Sequence, residues 1–264
     1  MRLVRSLWLL AFVFFGPAFF ESSIPDNSDL LEEVTWIEKT YESMTLDEKL
    51  GQLFMIRAFS KGEEAHEAAI KQLIREEKIG GLCFFQGSPD KQVELTQIYQ
   101  ELSDLPLLIS IDAEWGLGMR FKDQAMSFPR QLTLGAIRNN QEIYNFGREV
   151  GRQLKRMGIH INFAPVVDIN NNPKNPVINN RSFGEDRKNV TAKGYAYMKG
   201  MQDAGILACA KHFPGHGDTD VDSHYDLPVI PKAKRILDSL ELFPFKVLAQ
   251  HDIASVMIAH LSVP

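Results

Sequence analysis

The sequence predicts an α/β fold of the (β/α)8 TIM-barrel type, apparently truncated after about six βα units. Three observations carry that prediction. Short, nearly continuous apolar runs alternate with longer stretches of helical spacing. Runs of that kind suit strands buried on both faces, and intervening helices imply parallel pairing. Polar residues follow the runs directly: Asp112 and Glu114 after LLISI, Asp168 after INFAPVV, Lys211 and His212 after LACA, His260 after VMIA. In a barrel these are the C-terminal strand ends, where active sites are built.

Each element can be justified in chain order. Residues 1–23, MRLVRSLWLLAFVFFGPAFFESS, set Arg2 and Arg5 ahead of the apolar stretch Leu7–Phe15, which Gly16 and Pro17 interrupt. The stretch is too short for a membrane span of ~20 residues and reads as a secretory signal peptide. A periplasmic or secreted protein is expected, with no membrane span after signal removal. Residues 24–264 are then one barrel domain, incomplete at its C-terminal side. Thr45-Leu46-Asp47-Glu48 is a capping box that starts a helix. Strands are expected at QLFMI (52–56), GGLCFF (80–85), PLLISI (106–111), HINFAPVV (160–167), GILACA (205–210) and IASVMIA (253–259). Helical spacing marks EEAHEAAIKQLIREEK (63–78) and NQEIYNFGREVGRQLKRMG (140–158).

Composition excludes several classes. With 44% hydrophobic and 24% charged residues in 264, the chain is neither disordered nor fibrous. Its 29 basic against 34 acidic residues leave a net charge of −5, so nothing is available to track a nucleic-acid backbone. Cys83 and Cys209 each sit in an apolar run, as buried inert thiols do, and two cysteines make no structural zinc site by themselves.

The densest chemistry is Lys211–Pro228, KHFPGHGDTDVDSHYDLP, where Pro214, Gly215 and Gly217 exclude a helix. Asp222 and His224, two residues apart, share a face of an extended segment, so the carboxylate can reach an imidazole nitrogen. That contact fixes the tautomer, and an imidazole pKa of ~6.5 suits proton transfer near neutrality. A structural hydrogen bond is the plainer reading of Asp-x-His taken alone. His212, His216 and His224, interleaved with Asp218, Asp220 and Asp222, could offer mixed metal ligands. Their spacing matches no compact zinc signature, so neither metal nor cofactor is expected.

The stretch KHFPGHGDTDVDSH, preceded by IDAEWGLGMR and FAPVVDINNNPKNPVINNRSFG and followed by SVMIAHL, resembles glycoside hydrolase family 3. Within that family it is similar to the bacterial β-N-acetylglucosaminidases that act on muropeptides and other N-acetylglucosaminides. The likeness runs from about Met44 to the last residue. It implies a retaining exo-acting enzyme whose partner is an N-acetylglucosamine-containing saccharide. It also implies His224 as general acid/base, Asp222 as the residue that orients it, and Asp112, Arg120, Arg181, Lys211 and His212 as substrate-binding residues. The side-chain chemistry agrees: a carboxylate accepts from adjacent sugar hydroxyls, while Arg and Lys donate to hydroxyl and carbonyl oxygens. Outside these motifs Arg120 and Arg181 would read as surface arginines.

The resemblance further implies a nucleophilic aspartate at the end of a later strand. After His224 the chain offers Asp226, Asp238, Glu241 and Asp252, none in that context. The nucleophile and the last two βα units are therefore expected to be missing, and the chain alone to be inactive and aggregation-prone. It is then a fragment of an active glycosidase or a saccharide-binding remnant that does not cleave. A β-glucosidase or β-xylosidase is a further alternative, which the D-S-H loop disfavours.

Overall fold

A computed structural model of the chain describes residues 27–221 and 225–264. The segment expected to be a signal peptide, residues 1–23, lies outside the described residues. Contacts divide the chain at Met44/Thr45 into two units. The described part of the first is essentially one helix, α1 (Asn27–Ser43). Among the described residues no helix is long and apolar enough to cross a membrane.

The second unit opens on the capping box. Thr45 Oγ1 accepts from the Glu48 N–H at 3.3 Å, and the Glu48 carboxylate accepts from the Thr45 N–H at 2.8 Å, starting α2 (Leu46–Gly51). The alternation then runs β1 (Met55–Ser60), α3 (Glu64–Glu76), β2 (Gly81–Gly87), α4 (Pro89–Leu102) and β3 (Leu108–Ile111). It continues through α5 (Gln131–Gly135), α6 (Asn140–Arg156), β4 (Ile161–Asn162), α7 (Arg187–Asp203) and β5 (Leu207–Phe213). The last elements are α8 (Lys234–Ser239), α9 (Leu242–Ala249) and β6 (Ser255–Ile258). All pairings are parallel and the strand order is β1-β2-β3-β4-β5-β6. Strands adjacent in sequence and joined through helices give the connectivity of a (β/α)8 barrel. Within the described residues the sheet is open, with β1 and β6 at its edges.

Among the boundaries that differ from the sequence reading, three bear on the site or on the start of the sheet. Gln52–Phe54 do not belong to β1. The Leu53 and Phe54 N–H groups bond back to Leu50 and Gly51, and the Gln52 side chain donates to the Lys78 carbonyl at 2.6 Å. They form a turn, not a strand, and Leu53 and Phe54 are exposed there. The run 160–167 is regular only at Ile161–Asn162. Pro165 has no N–H to give a ladder, yet the run still follows β5 through Cys209 N–H to Ala164 O (2.8 Å) and Val167 N–H to Lys211 O (2.8 Å). β5 in turn extends to Phe213, so Lys211 and His212 lie within the strand rather than beyond it.

Alternation along the strands sorts the two faces. Leu82, Phe84, Ile109 and Ile111 are fully buried with Ile70, Ile74, Leu95 and Tyr99 of the covering helices in one core. The opposite parity carries Cys83, Ser110 and Asp112 on β2 and β3, and Cys209 and Lys211 on β5. Both cysteines are buried free thiols, and burial pushes their pKa up, as inert packing groups require. Helices α6 and α7 meet backbone to backbone. A Cβ on Gly200 would stand 2.2 Å from Tyr144 O, and one on Gly147 2.5 Å from Tyr197 O. Only glycine permits that approach, which holds α7 against the barrel behind the polar strand ends.

Candidate active site

Five of the seven predicted residues converge at the C-terminal ends of β3 and β5. Asp112 directly follows β3. Lys211 Nζ reaches its Oδ1 at 2.6 Å and also reaches Glu114 Oε1 at 2.8 Å, although 99 residues separate Lys211 from Asp112. Arg120 holds the other side of Asp112, with Nη2 at 3.0 Å from Oδ2 and Nε donating to the Asp112 carbonyl at 2.7 Å. Arg181 clamps Glu114 with one edge of its guanidinium, Nε to Oε2 at 2.9 Å and Nη2 to Oε1 at 2.6 Å. Arg181 Nη2 also lies 3.3 Å from His212 Nε2. The chain of contacts ends at Asp168, whose Oδ2 lies 2.6 Å from His212 Nδ1. Arg181 has only N–H groups to offer, so His212 Nε2 accepts and Nδ1 carries the proton donated to Asp168.

Burial sets the electrostatics. The side chains of Lys211 and Glu114 are 1% and 0% exposed, whereas that of Asp112 keeps 23%. Burial alone would push the Glu114 pKa up, but the Lys211 ammonium and the Arg181 guanidinium outweigh it and hold this carboxyl well below the usual range. Asp168 behaves alike. Its burial penalty is overcome by the His212 ring and by the His216 and His212 backbone N–H groups, so its pKa is also lowered. Burial lowers the Lys211 pKa, yet the two carboxylates restore and exceed it, and the ammonium stays charged. Lys211 and Arg181 are therefore fixed cations, while Asp112 alone among the site acids faces outward.

The root of the histidine-rich loop is tied to the same hub. Asp168 Oδ1 accepts from the His216 N–H at 2.7 Å. His216 Nδ1 meets Thr219 Oγ1 at 2.7 Å, and the buried Asn175 donates to His216 O at 2.7 Å while accepting from Val177 and Ile178 N–H at 2.9 and 2.8 Å. Burial pushes the His216 imidazole pKa down, favouring the neutral ring. Lys232 braces the loop from the other side, pairing with Asp218 at 2.6 Å and with the buried Glu241. The Lys211–His212 peptide is cis. Asp222 and His224, the predicted acid/base pair, lie outside the described residues.

Arg120 is not a surface arginine: its side chain is 9% exposed. His260 is exposed and apart from the network. Asp226 accepts from its neighbour Leu227, Asp238 pairs with Lys246, Glu241 with Lys232, and Asp252 stands in the turn before β6. None of these four acids touches the five converging residues. Among the described residues no group of three or more His, Cys, Asp or Glu side chains is arranged to hold a metal ion. Glu114 and Asp168 were visible as strand-end acids but stood outside the candidate set. Their signal was position: Glu114 shares the parity of Asp112, and Asp168 ends an apolar run.

Comparison with known proteins adds the family context. The model of the glycosyl hydrolase family 3 N-terminal domain matches residues 45–264. Beta-hexosaminidase A of Pseudoalteromonas piscicida is 38% identical over 208 residues, which cover 74% of this chain and 35% of that protein. The structure of a glycoside hydrolase family 3 β-N-acetylglucosaminidase from Paenibacillus sp. str. FPU-7 matches with a TM-score of 0.77 and 39% identity, over 84% of this chain and 43% of that one. NagZ from Neisseria gonorrhoeae, solved in complex with N-trifluoroacetyl-D-glucosamine, matches with a TM-score of 0.70 and 29% identity, over 80% of this chain and 64% of that one. The chain spans 35%, 54% and 44% of the length of three curated relatives, about half or less of each.

Proposed function

The chain belongs to glycosyl hydrolase family 3, and on that premise we propose that it supplies the sugar-reading and proton-transferring part of a retaining exo-β-N-acetylglucosaminidase. The substrate is a terminal N-acetylglucosamine on a peptidoglycan fragment or related glycan. One observation carries the reading: a buried lysine bonded to two acids leaves one of them, Asp112, fixed but outward-facing. A carboxylate has about four acceptor positions, and Lys211 and Arg120 fill two of those on Asp112. The rest are free for adjacent sugar hydroxyls. Arg181 and His212, locked by Glu114 and Asp168, present their remaining N–H and ring edges beside them.

In the retaining mechanism a carboxylate attacks the anomeric carbon while an acid protonates the leaving oxygen, and the same group then activates water. His224, oriented by Asp222, takes the proton-transfer role. Glu114 and Asp168 cannot serve as the nucleophile, because N–H donors occupy their oxygens and burial encloses them. The described acids after His224 stand outside this cluster, and on this reading the chain binds saccharide without turning it over. The protein acts in the periplasm or outside the cell, delivered by residues 1–23. N-terminal sequencing of the exported protein checks that delivery.

Calorimetry of the purified chain with N-acetylglucosamine and with glucose, beside hydrolysis of a chromogenic β-N-acetylglucosaminide, tests the function. The expected result is binding that favours N-acetylglucosamine, is lost in Asp112→Asn, and comes with no turnover. Hydrolysis abolished by His224→Ala would overturn the division of labour. Preference for glucose would overturn the substrate.

A further inference from the structure

Phe85 is the fifth residue of β2 and shares the parity of Cys83, so its ring stands on the face that carries Asp112. The Arg120 guanidinium carbon lies 4.4 Å from the centre of that ring. Arg120 sits in the irregular connection between β3 and α5, just after a 3₁₀ turn at Leu117–Met119, where no sheet ladder fixes it. Its two contacts with Asp112 lie along one edge of the guanidinium, Nε at 2.7 Å and Nη2 at 3.0 Å. Edge contacts set where the group is; the aromatic face beneath sets the plane in which it lies. Phe59, with ring centres 6.0 Å apart, supports Phe85 from β1. Among the described residues Arg120 Nη1 has no partner, so its N–H groups remain available in that plane.

We propose that Phe85 is a positioning residue that orients Arg120 for saccharide through its aromatic face. This rests on the reading of Arg120 as a saccharide-binding residue. Burial alone would be met equally well by leucine, which has similar apolar character and no π-face. The test compares the full chain with Phe85→Leu and Phe85→Tyr, with Phe85→Met replacing the leucine variant should that fail to fold. Two readouts are taken: affinity for N-acetylglucosamine by calorimetry, and the rate at which phenylglyoxal modifies Arg120, followed by peptide mass mapping.

Loss of the π-face should weaken N-acetylglucosamine binding about tenfold and speed Arg120 modification by a similar factor, while tyrosine keeps both within about twofold. Wild-type affinity and reactivity in the leucine or methionine variant would overturn the proposal. If the unaltered chain binds no N-acetylglucosamine, the saccharide reading fails. The modification rate still decides the positioning role: faster in leucine than in tyrosine supports it, and equal rates refute it.

Discussion

Replacing Glu114 with glutamine keeps the shape of the side chain and removes one buried charge. Glu114 accepts three N–H groups, two from Arg181 and one from Lys211, at 2.6–2.9 Å with no exposure to water. A glutamine amide placed there must turn its NH2 group toward one of these donors. It also leaves Lys211 and Arg181 facing each other with Asp112 as the nearest remaining acid. Removing one partner from a buried ion pair costs about 3–5 kcal/mol, or a fall of about 10 °C in midpoint for a domain of this size. The sign of the pH dependence follows from the lowered carboxyl pKa. Stability contributed by Glu114 is fully present above its unfolded value of 4.5 and is lost as pH falls toward the lower folded value. The gap between wild type and Glu114→Gln should therefore narrow by about 1.4 kcal/mol per pH unit below that value, or about 2 kcal/mol by pH ~3. Urea unfolding followed by circular dichroism at both pH values measures it. A gap below about 1 kcal/mol at neutral pH, the range of an exposed pair, would refute the buried-network reasoning, as would a gap that widens in acid.

Three other perturbations probe separate parts of the structure. Asp168→Asn leaves one acceptor oxygen where His212 Nδ1 and the His216 N–H now use two, and N-acetylglucosamine affinity should fall at least about tenfold by calorimetry; unchanged affinity would remove His212 from the site. Gly200→Ala puts a methyl 2.2 Å from Tyr144 O, and a thermal melt should show destabilisation of about 1–3 kcal/mol as α6 and α7 are forced apart. At the β6 edge, Ile258 is 73% exposed and Val256 41%, an apolar strand open to pairing with other chains. Ile258→Lys should lower aggregation measured by light scattering, and equal scattering from both proteins would place the sticky surface elsewhere.

The strand–helix alternation was legible because buried parallel strands need continuous apolar runs, and GGLCFF and GILACA have no other use for them. QLFMI misled at its start because Leu53 and Phe54 are apolar yet exposed in a turn, so their hydrophobicity marks no buried strand. HINFAPVV was overextended because its hydrophobicity continues through Pro165, which has no N–H to give, so that only isolated bonds to β5 persist beyond Asn162. Asp112, Arg120, Arg181, Lys211 and His212 were legible through motif resemblance and strand-end position. Glu114 and Asp168 were not placed with them, since a buried acid that pairs with buried cations and imidazoles looks in sequence like any other acid after a strand.

By itself the sequence determined the rhythm of elements, the strand-end placement of the polar residues and the break in regular structure after Phe213, because these depend on local periodicity and turn chemistry. Only the tertiary structure decided which charges are shared. Lys211 meets Asp112 and Glu114, and Asp168 joins His212 to the root of the loop. Those pairings form because one parallel sheet brings residues about fifty to one hundred positions apart to one barrel end, where burial leaves each charge no partner but the others.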